Sequence, residues 1–236
     1  MPIRAVLFDL DGTLLPMDQK SFMQLYFGGL AQKLSAYGYE PKALIDAIWS
    51  GCAEMVKNDG SRPNEEIFWE KFRSIFGERV NDDIPKFDAF YLKEFHAART
   101  ACMPTPLARK AVEKAKALGF RTVLATNPLF PEVATLTRTR WAGFDPAEFE
   151  LITTYENSGF CKPNPTYYLD VAKRIGVAPE ECLMIGNDVE EDMIAEAVGM
   201  KVFLMTKYVL NRSGTDISVY PSGDFPELLS YLETLA

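Results

Sequence analysis

Two acids one residue apart, Asp9 and Asp11, stand in Asp9-Leu10-Asp11-Gly12-Thr13, directly after the apolar stretch Val6-Leu7-Phe8. The C-terminal end of a parallel strand is where α/β folds place their chemistry. Side chains alternate along an extended chain, so Asp9 and Asp11 point the same way if the chain stays extended beyond the strand. Two carboxylates at such range repel, and one of them becomes hard to ionise. A divalent cation removes that cost, and a set of hard oxygen ligands suits Mg²⁺. Gly12 permits a tight turn that a bulkier residue resists. An Asp-x-Asp pair alone could equally be two solvated acids. The apolar strand before it and the Gly-Thr after it argue for a site.

The elements that must position such a site follow from apolar patterning. Five short runs, Ile3–Asp9, Arg121–Thr126, Glu150–Thr153, Cys182–Gly186 and Lys201–Met205, lack clean alternation and read as strands covered on both faces. Helical patterns separate most of them. Pro106–Leu118 ends at Gly119, Pro131–Arg140 is shorter, and Asn164-Pro165 caps a helix that closes at Gly176. A further helical pattern, Val189–Val198, precedes Gly199. Strands alternating with helices predict an α/β fold, a Rossmann-like parallel sheet with right-handed crossovers. From about Met17 to Arg99 there is no convincing strand. Helical patterns cover Ser21–Tyr37, Pro41–Lys57, Asn64–Phe76 and Ile84–Arg99. The division expected is therefore a core of residues 1–16 and 100–236, with a four-helix domain of residues 17–99 inserted after strand one.

Composition narrows the function. The chain has 236 residues, enough for one to two domains with a real core. Lys plus Arg is 25 against 33 for Asp plus Glu, a formal net charge of −8. That balance repels a phosphate backbone or an anionic bilayer and argues against nucleic acid and membrane as partners. A small acidic substrate is compatible with it if local cations receive the charge. The four cysteines, Cys52, Cys102, Cys161 and Cys182, form no CxxC pair, and His96 is the single histidine. A zinc ribbon and a multi-histidine metal site are excluded on those counts. His96 falls in an ordinary amphipathic helix pattern and is not expected to be catalytic. Reduced thiols, and an N-terminal apolar run too short for a signal peptide or a membrane span, point to a cytoplasmic protein. A monomer or a homodimer is expected.

The strand followed by DxDGT resembles the first motif of the haloacid dehalogenase-like hydrolase superfamily, and three further motifs can be matched in order. An apolar strand ending in Thr or Ser corresponds to Val123-Leu124-Ala125-Thr126-Asn127. A loop lysine, usually Lys-Pro before a helix, corresponds to Lys162 in Cys161-Lys162-Pro163-Asn164-Pro165. An apolar strand ending in Gly-Asp, with a second acid four or five residues on, corresponds to Leu183-Met184-Ile185-Gly186-Asn187-Asp188-Val189-Glu190-Glu191-Asp192. The last departs from the pattern. Aligned from Gly186, the first acid is replaced by Asn187; counted back from Asp192, it is Asp188. Either residue or both could be the metal ligand, and Asp192 is expected to act behind them.

The resemblance implies a division of labour. Asp9 is the expected nucleophile, forming an aspartyl-phosphate. Asp11 is the expected acid for the leaving alcohol and base for the hydrolytic water. Thr126 and Asn127 would bind the transferring phosphoryl group, and Lys162 with Mg²⁺ would neutralise charge on Asp9 and phosphate. The expected metal ligands are Asp9, Asp11 and Asn187 or Asp188. Members that cleave carbon–halogen bonds lack the second Asp and need no metal, so Asp11 favours phosphoryl chemistry. The helical insertion is similar to the family's helical cap, which closes over the site and reads the leaving group. The resulting expectation is an Mg²⁺-dependent phosphatase acting on a small phosphorylated metabolite. A phosphomutase and a non-catalytic phospho-ligand-binding protein are the alternatives. Within the insertion, Lys20, Arg62 and Trp69 could touch a substrate, although solvation or core packing accounts for each.

Overall fold

The computed structural model describes residues 1–235. Its sheet is built from β1 (Ala5–Phe8), β2 (Arg121–Leu124), β3 (Cys182–Gly186), β4 (Lys201–Met205) and β5 (Ser222–Gly223). The strands are all parallel, in the order β2-β1-β3-β4-β5. Every residue of β1 is buried, as a central strand covered on both faces requires. Alternate side chains serve two cores: Val6 and Phe8 join a cluster with Leu183 and Ile185, whereas Ala5 and Leu7 join another with Val123 and Met184. The chain leaves β1 to one side for β2 and returns on the other for β3. The crevice at the C-terminal ends of β1 and β3 is thus the topological switch point, where open α/β sheets bind ligands.

Four α-helices lie between β1 and the rest of the sheet: α1 (Gln19–Ser35), α2 (Pro41–Val56), α3 (Asn64–Phe76) and α4 (Val80–Leu92), followed by a 3₁₀ helix, Glu94–Ala101. Asp18 caps α1 through a 2.6 Å bond from Ser21 N. The two chain segments that enter and leave this region pair, through an antiparallel bridge between Met17 and Cys102 and a 2.7 Å bond from Met103 N to Pro16 O. The helices pack about aromatic side chains. Phe72 meets Phe68, Phe76 and Phe87 at centroid distances of 4.9–5.6 Å. The remaining helices are α5 (Pro106–Ala117), α6 (Glu132–Trp141), α7 (Pro165–Arg174) and α8 (Phe225–Glu233). Asn164 caps α7, accepting from Thr166 N at 2.9 Å, with Pro165 at its first position. No helix among the described residues is long and apolar enough to cross a membrane.

Three elements differ from the sequence expectation. Glu150–Thr153 runs beside β2 but forms only one bridge, Leu124 to Ile152. The Thr126 carbonyl, which the next ladder bond would use, instead accepts from Thr153 Oγ1 at 2.6 Å and Tyr167 OH at 3.0 Å, and Tyr155 N turns away to Phe130 O. The fifth strand is instead Ser222–Gly223, too short and too polar to show as an apolar run. Within Val189–Val198 only Met193–Val198 is helical, and as 3₁₀, because Asp188 Oδ1 accepts from the N–H groups of Glu190 and Glu191 and holds that stretch in a turn. Finally, the pattern over Ile84–Arg99 divides into the end of α4 and the 3₁₀ helix, and α4 itself begins earlier, at Val80.

Candidate active site

Asp9 stands one residue beyond β1, with its N–H bonded to Ile185 O of β3 at 2.9 Å. The chain does not stay extended after it. Leu15 N and Thr13 N both return to Leu10 O, and Gly12 turns with φ +88°. A Cβ at Gly12 would overlap the Asn187 amide, so this turn needs glycine both for its backbone and for its close approach. Asp9 and Asp11 therefore reach one cavity but take different partners, not the common strand face expected from alternation.

Asp9 Oδ1 accepts from Lys162 Nζ at 2.9 Å. The same ammonium donates to Asp192 Oδ1 at 2.6 Å, and Asp192 Oδ2 accepts from Asp188 N at 3.0 Å. A buried lysine thus bridges the nucleophile candidate on the first motif to the last acid of the fourth. Burial works against its charge, but Asp192 and Asp9 outweigh it and hold the ammonium well above its ordinary pKa. Two carboxylates share this one cation. Burial accordingly raises Asp9, and raises Asp192 to about 6. Gly186 makes room for the arrangement, since a Cβ there would overlap the Asp192 carboxyl.

Asp11 takes an arginine. Arg138, on α6, donates from Nη1 to Asp11 Oδ2. Burial still raises the Asp11 pKa, with Arg138 opposing it, and Asp11 Oδ1 is buried with no protein partner among the described residues. Thr126, at the end of β2, lines the cavity, and its carbonyl is fixed by Thr153 Oγ1 at 2.6 Å and Tyr167 OH at 3.0 Å. Asn127 is turned toward the lysine loop: its Oδ1 accepts from Lys162 N at 3.2 Å and its Nδ2 donates to Glu191 Oε2 at 3.0 Å. Burial raises Glu191 to about 7.

Asn187 and Asp188 are separated by what they bond. Thr13 Oγ1 donates to Asn187 Oδ1 at 2.9 Å, and Asn187 Nδ2 donates to Tyr208 O at 2.8 Å. Both amide atoms are thus committed to the loops that flank the site. Asp188 carries a carboxylate paired with the half-exposed Arg212 at 2.8 Å. Asp9, Asp11, Asp188, Glu191 and Asp192 surround the cavity against three cations, Lys162, Arg138 and Arg212. Full ionisation leaves two negative charges uncompensated. In donor type and in charge this set fits a hard divalent cation, and the orphaned Asp11 Oδ1 points the same way. Side chains alone do not complete such a site, because no group of three acids, histidines or cysteines among the described residues is placed to hold an ion.

Of the residues picked out within the helical insertion, Trp69 lines the cavity, whereas Lys20 does not, and Arg62 pairs with Glu70 on the exterior at 2.6 Å. The residues that sequence reasoning missed are Arg138, Arg212 and Glu191. Arg138 did carry a signal: it falls four residues after Ala134 and three before Trp141, on the buried stripe of α6.

Both the sequence and the fold have known counterparts. The sequence profile of the haloacid dehalogenase-like hydrolases matches residues 3–199. The chain belongs to that family and is a hydrolase. It is similar to a glyceraldehyde 3-phosphate phosphatase from Pyrococcus furiosus, 26% identical over 98% of this chain and 93% of that one. It is also similar to a phosphoglycolate phosphatase from Aquifex aeolicus, 25% identical over 96% and 97% of the two chains. In fold it matches the crystal structure of a HAD phosphatase from Thermococcus onnurineus, with a TM-score of 0.61, 22% identity and 98% of each chain covered.

Proposed function

We propose that this chain, a phosphomonoester hydrolase of the haloacid dehalogenase-like family, works with Mg²⁺ on a small phosphorylated metabolite through an aspartyl-phosphate. The observation that carries the reading is Lys162 bridging Asp9 and Asp192 at the switch point of the sheet. An ammonium held charged beside Asp9 keeps that carboxylate placed and offsets the approach of a phosphate dianion.

In the first half-reaction an Asp9 oxygen attacks phosphorus, the ester P–O bond breaks, and the leaving alkoxide takes a proton from Asp11. In the second, Asp11 takes a proton from water, the resulting hydroxide attacks the phosphoryl group, and phosphate leaves with Asp9 regenerated. The raised pKa of Asp11 suits a group that holds a proton in one step and accepts one in the next. Thr126 would donate its hydroxyl to a phosphoryl oxygen, with Asn127 keeping the Lys162 loop in register. Asp9, Asp11 and Asp188 would each offer an oxygen to Mg²⁺, with oxygens from outside these side chains completing the set, and the ion when bound would supply positive charge to the phosphoryl oxygens. The commitment of the Asn187 amide to Thr13 and Tyr208 favours Asp188 over Asn187 as ligand.

The division into a core of residues 1–16 and 100–236 and a cap of residues 17–99 belongs to the same proposal. The paired entry and exit segments at Met17 and Cys102 support it, and so does a cavity whose walls combine α1–α4 with the strand ends. The test is phosphate release from a panel of small phosphomonoesters, with Mg²⁺ and with EDTA, by the wild type and by Asp9→Asn. Release that needs the metal and disappears in the variant is expected. Undiminished release by Asp9→Asn would remove Asp9 as nucleophile.

A further inference from the structure

The cavity that contains Asp9 measures about 520 Å³, far more than a phosphate needs. Away from the strand ends its walls are apolar: Phe27, Leu30 and Ile48 from α1 and α2, Trp69 from α3, and Leu129 and Phe130 from the loop after β2. The tyrosine hydroxyls and the Trp69 indole N–H on those walls are already paired with one another, and among the described residues Gln19 of α1 is the one neutral amide that joins them away from the strand ends. The hydroxyls of Tyr26 and Tyr91 lie 2.9 Å apart, and Trp69 Nε1 donates to Tyr155 OH at 3.3 Å.

The charges are one-sided. Among the described residues lining the cavity no lysine occurs, and the single arginine, Arg212, is paired with Asp188. Asp88 of α4 adds a further carboxylate beyond the acids at the strand ends. A leaving group carrying its own carboxylate would be desolvated here without a cation to receive it, and would face Asp88. An apolar leaving group would bury its surface against aromatic walls that give up no hydrogen bond to admit it.

We infer that the leaving group is a bulky, uncharged, predominantly apolar alcohol, in contrast to the short carboxylated substrate that names the Aquifex relative. This inference rests on the phosphatase reading above. It concerns what the helical insertion selects.

The test compares kcat/KM for 2-phenylethyl phosphate, ethyl phosphate and phosphoglycolate with Mg²⁺ present. All three are alkyl esters, so the acidity of an aryl leaving group does not bias the ranking. The expected result is a kcat/KM for the phenylethyl ester about tenfold or more above that for phosphoglycolate, expressed mainly in KM. In Phe27→Ala the ratio of phenylethyl to ethyl ester falls severalfold. In Phe27→Arg, which places a cation on the same wall, the ratio of phosphoglycolate to phenylethyl ester rises. Using ratios removes any general loss of active enzyme. Phosphoglycolate equal to or better than the phenylethyl ester in the wild type would overturn the inference while leaving the phosphatase reading intact. No turnover of any ester, ethyl phosphate included, would bring down that reading and this inference with it.

Discussion

The guanidinium of Arg138 donates to the carboxylate of Asp11 across 127 residues of sequence, from a helix interior to the turn beyond β1. Arg138 is only 1% exposed, stacks over Phe130 at 4.2 Å, and is anchored by bonds to Ala134 O and Thr135 Oγ1, both at 3.4 Å. Its fork is therefore fixed before it meets Asp11. A planar, pre-placed donor sets the direction of a carboxylate in a way that a flexible ammonium does not.

Arg138→Lys should keep the charge and lose that direction. We expect kcat to fall about 10–100-fold with KM little changed, since a small misplacement of a group acting in proton transfer has effects of that order. Arg138→Gln should go further. With Arg138 gone, only the more distant Lys162 charge opposes burial at Asp11, and the limb of the pH–rate profile that needs ionised Asp11 moves to higher pH. Steady-state kinetics from pH 5 to 9 on both variants checks this. A KM effect with unchanged kcat would show that Arg138 binds substrate instead of placing Asp11.

Asn187 and Asp188 should separate cleanly. Asp188→Ala is expected to raise the Mg²⁺ concentration needed for half-maximal activity by about tenfold or more, because a carboxylate ligand is lost. Asn187→Ala should leave that concentration nearly unchanged and lower stability by roughly 1–3 kcal/mol, since Thr13 Oγ1 and Tyr208 O lose their partners. Metal titrations of activity beside urea denaturation distinguish the two. The opposite assignment of effects would make Asn187 the ligand.

The legibility of this site in the sequence follows the range of the interactions that build it. Asp9 could be read because a buried strand, two acids and a turn glycine are contiguous. Lys162 and Thr126 could each be placed at the end of an element by pattern, but their meeting with Asp9 depends on β1 lying between β2 and β3, which no local signal carries. The chain turns at Leu10 instead of staying extended, held by hydrogen bonds from the N–H groups of Thr13 and Leu15, and Asp9 and Asp11 reach their one cavity by that turn. Glu150–Thr153 misled for a related reason: its composition suits a strand, but the Thr126 carbonyl that would extend the ladder is taken by the hydroxyls of Thr153 and Tyr167. Arg212 sits in an irregular loop, where no periodicity marks a residue as facing inward.

Gly186 tests the bridge between Lys162 and the fourth motif without altering any charge. An added methyl would occupy the position of the Asp192 carboxyl. Asp192 must then shift, and Lys162 loses its 2.6 Å partner. Gly186→Ala is expected to cost about 1–3 kcal/mol, as overpacking of a tight interior does. It should also lower kcat disproportionately, as Lys162 is then held from one side only. Denaturation and turnover measured together check this. A stability loss with unchanged kcat would mean that the Asp192 contact is structural only.

Glu191 supplies a test that links protons to the metal. Burial raises its pKa to about 7, well above the ordinary 4.5 of a glutamate. The folded, metal-free protein thus keeps a proton that the unfolded chain releases, so stability falls as pH rises from about 4.5 to about 7 and levels off above that. Removing the group by Glu191→Gln should flatten this slope, and the difference from wild type should be on the order of 3 kcal/mol at pH 8 and small at pH 4.5. Mg²⁺ and protons compete for the same cluster of carboxylates, so the stabilisation by Mg²⁺ should be larger at pH 8 than at pH 6. Urea denaturation across this range, in EDTA and in Mg²⁺, measures both effects. A wild-type stability that rises from pH 5 to 8 without metal would show that Glu191 is ionised throughout and compensated by Lys162 and Arg212.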